Sequence, residues 1–146
     1  MTRAERRPQP SDMPDPSSAA VRGVARWRAY MQSPDKAALR DLLHEDVVFE
    51  SPVVHTPQRG RDITFKYLAG ADKVLGGPDF AYVGEWYSDT GAILEFTTVI
   101  EGIAVNGVDI ITFDADSRIV HFKVMVRPLK AINLVHRLMG EQLQKA

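Results

Sequence analysis

The sequence predicts a single α+β domain with helices and strands segregated, and three observations carry that prediction. Helical spacing dominates the chain as far as residue 75, with one short β-branched run inside it. Four extended runs follow between Phe80 and Arg127, separated by Asp89-Thr90-Gly91, Glu101-Gly102 and Asp114 to Ser117, the pattern of hairpin-linked antiparallel strands. After Pro128 helical spacing returns, so the strands form one block instead of alternating with helices.

Each element has its own local reason. From Ala19 to Met31, Val24, Trp27 and Met31 recur at three- and four-residue steps, which gives a first helix with one apolar face. Ser33-Pro34 reads as an N-cap and first-turn pair for a short second helix carrying Leu39, Leu42 and Leu43. Val47 to Ser51 is a brief strand ended by Pro52, leading into a loop from Val53 to Gly60. Ile63, Tyr67, Leu68, Ala71, Val74 and Leu75 hold helical spacing until Gly76-Gly77-Pro78 stops it. The strands are expected over Phe80–Tyr87, Ala92–Ile100, Ile103–Phe113 and Arg118–Arg127. In the last of them Val120, Phe122, Val124 and Val126 take one parity while His121, Lys123 and Arg127 take the other, the mark of one dry and one partly wet face. Leu129, Ile132, Val135, Met139 and Leu143 give the final helix an apolar stripe that could cap a pocket or pack on the outer sheet face or on a partner.

Composition bounds the function. A chain of 146 residues that is 45% apolar supports one core. A formal charge of −1 offers no basic field for phosphate backbones, so nucleic acid is not an expected partner. The absence of cysteine removes thiolate and cysteine-metal chemistry and suits the cytoplasm. Arg3, Arg6 and Arg7 are followed by four prolines instead of an apolar segment, which reads as a disordered tail over residues 1–18 and not as a signal peptide. The folded domain is expected over 19–127, with the last helix over 128–146, and no stretch is apolar enough to span a bilayer.

Asp109 is the strongest functional lead. It interrupts Gly107-Val108-Asp109-Ile110-Ile111-Thr112-Phe113, and a carboxylate in an apolar wall is costly unless it is paired, neutralised or facing a cavity. Glu95, between Leu94 and Phe96, is a second such carboxylate, although alternation could place it on the wet face with Thr97. His55, in the loop near Ser51, has a residue type suited to general acid or base work. Trp27, Tyr67 and Trp86 could offer stacking surfaces to a flat ligand, and Phe113, Phe122 and Val124 could supply pocket walls. The histidines show no metal-ligand spacing and the glycines form no phosphate-cradling loop, so neither a metal nor a cofactor is expected.

Three stretches resemble the nuclear transport factor 2-like superfamily, which includes SnoaL-like polyketide cyclases and ketosteroid isomerases. They are Leu43-His44-Glu45-Asp46-Val47-Val48-Phe49-Glu50-Ser51-Pro52, the helix start Gly60-Arg61, and Gly107-Val108-Asp109 through Phe113-Asp114 to Arg118-Ile119, within a match over most of residues 20 to 127. The resemblance implies a strongly bent antiparallel sheet wrapped around three N-terminal helices as a cone, open at one end on an apolar pocket. Compared with the ketosteroid isomerases, it places Asp109 where that family has a neutral aspartic acid that donates to the developing oxyanion. Trp27 falls at the oxyanion-hole tyrosine, and its indole N–H can donate one bond. Ser51 falls at the general-base aspartate and cannot by itself accept a proton near neutral pH, so a standard ketosteroid isomerase is not expected.

Two functions fit these residues. One is an apolar pocket for a cyclic ligand with a carbonyl or hydroxyl oxygen, with cofactor-free isomerase, cyclase or dehydratase chemistry in which Asp109 acts on the oxygen and His55 is the base. The other is a non-catalytic binding or dimerisation module, with Val99, Ile119 and Met125 on the wet sheet face as the surface for a second copy.

Overall fold

In a computed structural model, which describes residues 14–145, the chain runs α1 (Ala19–Gln32), α2 (Lys36–Leu42), β1 (Leu43–Glu50), β2 (Gln58–Arg59), α3 (Arg61–Leu75), β3 (Ala81–Tyr87), β4 (Gly91–Ile100), β5 (Ile103–Phe113), β6 (Ile119–Arg127) and α4 (Leu129–Gln144). One open, curved sheet has the order β2-β1-β6-β5-β4-β3. Strands β3 to β6 form the antiparallel meander, and β1 joins its end by pairing in parallel with β6. The helices cover one face of this sheet. Among the described residues no helix is long and apolar enough to cross a membrane.

The core lies between the helices and the concave face. Val24, Trp27 and Tyr30 of α1, Leu39 and Leu42 of α2 and Leu68 of α3 meet Leu94, Phe96, Ile111 and Phe122 of the sheet. In β5 the alternation is unbroken: Val105, Gly107, Asp109, Ile111 and Phe113 are buried while the residues between them are half exposed. Phe113 closes one end of the layer by seating its ring on Gly23, where a Cβ would lie 2.3 Å from a ring carbon.

Three local expectations are corrected. The second helix is capped by Asp35, which accepts a hydrogen bond from the Ala37 N–H at 3.1 Å, whereas Ser33 ends α1 with its own N–H on Ala29 and Tyr30 carbonyls. Leu43 opens β1 instead of closing that helix. Ile119 is fully buried, not part of the wet face, because the β5–β6 register shifts between Thr112↔His121 and Phe113↔Ile119. The extra residue, Val120, reverses the parity of everything before it. Of the expected disordered tail, residues 1–13 lie outside the described residues. Asp15 to Ser18 form a turn that delivers Ser18 as the N-cap of α1, its hydroxyl accepting from the Val21 N–H at 3.2 Å.

Candidate active site

Alternation in β5 forces the Asp109 side chain inward, between Leu94 of β4 and Val124 of β6, its register partners. Its solution is a hydrogen-bonded relay across the sheet. The Tyr82 hydroxyl of β3 donates to Asp109 Oδ2 at 2.6 Å, and the Trp27 indole Nε1–H of α1 donates to the Tyr82 oxygen at 2.8 Å. Burial pushes the Asp109 carboxyl up to about 7, a rise that the Tyr82 hydrogen bond partly opposes. Burial, together with the neighbouring Asp109 charge, also holds Tyr82 well above the ordinary phenol range, so its hydroxyl stays a donor. Among the described residues nothing hydrogen-bonds the second carboxyl oxygen, Oδ1. Asp109 is therefore an acid poised between its two forms near neutral pH, with one oxygen anchored and one available.

Asp109 lines an apolar cavity of about 40 Å³ walled by Met31, Leu68, Phe96 and Phe122 as well as by Trp27 and Tyr82. A second carboxylate enters it from the opposite side. Asp72 lies in the last turn of α3, four residues after Leu68 and four before Gly76, so it falls on the helix stripe that covers the cavity. Burial raises its carboxyl, with the adjacent Lys73 partly opposing, and no side-chain hydrogen bond or ion pair engages it among the described residues. The negative end of the helix dipole is an unfavourable place for a carboxylate, which weakens a purely stabilising explanation for it.

The other residues expected at the site divide clearly. Phe122 and Val124 line the cavity with Asp109, as does Trp27. The Trp27 N–H, however, is spent on Tyr82. Val124 is also shared with a larger apolar chamber of about 170 Å³, between the loop after β1, α3 and α4, and that chamber takes in Ser51 and Tyr67. The Ser51 hydroxyl accepts from the Val53 and Val54 N–H groups at 3.1 and 3.4 Å, the task of a turn residue. His55 is exposed and lines neither space. Glu95 stands on the outer sheet face, accepting from Asn106 Nδ2 at 3.0 Å, and Trp86 is 56% exposed. Phe113 packs on Gly23, away from Asp109. Sequence reasoning missed Tyr82 and Asp72. The second carried a signal, since an aspartate at helical spacing within an apolar stripe is the same anomaly that drew attention to Asp109.

Comparison with known proteins decides the family. The family model of the SnoaL-like domain matches residues 15–122. The chain belongs to the SnoaL-like family. Its fold is nuclear transport factor 2-like. Among solved structures, this SnoaL-like protein is similar to a steroid delta-isomerase from Pseudomonas aeruginosa, with 34% identity, a TM-score of 0.81, and coverage of 87% of this chain and 93% of that one. An uncharacterised bacterial protein with a cystatin-like fold from Silicibacter pomeroyi shares 27% identity at a TM-score of 0.75, covering 82% of this chain and 84% of that one. A putative SnoaL-like polyketide cyclase from Jannaschia sp. CCS1, at 11% identity and a TM-score of 0.65, covers 83% of this chain and 94% of that one and shows the shared fold alone. No curated protein matches the chain.

Proposed function

We propose that this SnoaL-like protein binds a small apolar molecule by a carbonyl or hydroxyl oxygen and moves a proton on it without a cofactor. The observation that carries the reading is the relay Trp27–Tyr82–Asp109, which ends on a carboxyl that lines an apolar cavity. In its neutral form Asp109 donates to the ligand oxygen while Tyr82 holds the other carboxyl oxygen in place. Asp72, on the opposite wall, is the group that accepts a proton from carbon; the exposed His55 is too far into solvent for that role in this geometry. As Asp72 takes the proton, the C–H electron pair forms the new C=C bond and the carbonyl electrons shift to the oxygen that Asp109 bonds. Returning the proton to another carbon completes an isomerisation. The likeness to a structure named as a steroid delta-isomerase supports this reaction type among the cofactor-free alternatives.

The test is calorimetric titration of 2-cyclohexen-1-one and of phenol into the wild type and Asp109→Ala. Leaving the ligand oxygen buried without its donor costs about 1 to 3 kcal/mol, so the variant is expected to bind at least about fivefold more weakly. Equal affinities would remove Asp109 from the site.

A further inference from the structure

The two apolar spaces differ in size in a way that restricts the ligand. A cavity of about 40 Å³ beside Asp109 is far below the size that takes up an aromatic ring and has room for a functional group. The outer chamber, at about 170 Å³, exceeds the roughly 150 Å³ apolar cavity that is known to take up benzene. Ala71, Leu75 and Val124 line both spaces and are the partition between them. Val124 is also the direct strand partner of Asp109, and such partners have Cα atoms about 5 Å apart, so the outer chamber begins one side chain from the acid. A different cleft, of about 240 Å³, meets the inner cavity from the α1 side, but Arg28, Gln32 and the Gly76-Gly77 backbone make it more polar than the chamber. The far wall of the chamber comes from Val135, Met139 and Leu143 of α4, beyond the segment that the family model matches.

We propose that α4 builds a ring pocket, so that the ligand is a single-ring ketone or phenol whose oxygen reaches Asp109 past Val124 while its ring lies under α4. This deepens the functional reading above and rests on it.

Gly140 provides a clean plug. It lines the chamber and is exposed, and a Cβ added there meets nothing within 4 Å, so a large side chain can be built at the chamber's rim without displacing backbone. Gly140→Phe, with Gly140→Ala as control and Val54→Trp as a second plug from the facing loop, is titrated with phenol and 2-cyclohexen-1-one, and circular dichroism confirms the fold. Both plugs are expected to weaken binding at least about tenfold, equivalent to about 1.4 kcal/mol, and Gly140→Ala, which adds one methyl, to weaken it by less than either. Wild-type affinity in both plugged variants overturns the ring pocket, even where Asp109→Ala still abolishes binding. Binding that the plugs remove but Asp109→Ala does not touch supports the ring pocket and overturns the role of the acid. A wild type that takes up neither probe overturns both.

Discussion

Asp109→Asn is expected to make the protein more stable than the wild type at pH 8 and to erase most of that advantage at pH 4. The carboxyl has an ordinary value of 3.8 and is raised to about 7 in the fold, so the folded state favours the neutral form. The stabilisation from a neutral Asp109 is fully present below about 3.8, declines as pH rises toward about 7, and is gone above it, with no further change. At about 1.36 kcal/mol per unit, the difference across that window has an upper bound of about 4 kcal/mol. Asparagine keeps an oxygen for the Tyr82 hydroxyl and never ionises, so its stability lacks this slope. Other groups slope the opposite way: His121 beside Glu50 and the backbone N–H groups of Asp116 and Arg118 on Asp114 hold those carboxyls low, which favours the fold above their own range. They are common to both proteins and cancel in the difference. Denaturant unfolding of the pair from about pH 4 to pH 8 reads the result directly, and parallel curves would show that Asp109 is ionised throughout.

Gly107→Ala is expected to be a strongly damaging single-methyl addition beside the site. A Cβ at Gly107 lies 2.5 Å from the Met125 carbonyl oxygen and 2.5 Å from Phe96 Cζ. The carbonyl belongs to β6, paired residue by residue with β5 on both sides of this point, so it cannot retreat without breaking the ladder. The Phe96 ring occupies the space in front of Gly107 and stacks on Phe80 at 5.3 Å, which in turn meets Tyr82 edge-on at 5.1 Å. Strain at Gly107 therefore reaches the residue that anchors Asp109. The cost is set at the upper end of overpacking, about 3 kcal/mol. Phe96→Leu in the same chain should recover the part due to the ring and leave the part due to the carbonyl. A loss below about 1 kcal/mol for Gly107→Ala would mean that the strands part more easily than their pairing suggests.

How far the sequence carries depends on whether a feature is periodic or made across the sheet. The helices, the meander and the inward direction of Asp109 were legible because β5 keeps strict alternation from Val105 to Phe113. Ile119 was misplaced for the converse reason: alternation cannot see an extra residue such as Val120, which flips the parity at the start of β6. Tyr82 was illegible. It lies on the edge strand β3, mostly exposed along its length, and its meaning comes from bonds to Trp27 and Asp109 on two other elements. Asp72 was legible in principle, yet a stripe read only for its apolar members passes over a charged one. The place of α4 was open because an apolar stripe does not name its partner; packing on α3 and β6 puts it over the outer chamber.

Asp109 is expected to keep its proton up to about pH 7 and to hold the ligand by its free oxygen. Infrared difference spectroscopy of its carboxyl stretch, assigned with Asp109→Asn and followed through a pH titration with and without 2-cyclohexen-1-one, tests this claim most directly. The expected result is a midpoint near 7 in the free protein that moves upward with the ketone, because a carbonyl oxygen binds only the protonated acid. A carboxyl already ionised at about pH 5 and indifferent to saturating ketone would contradict the claim.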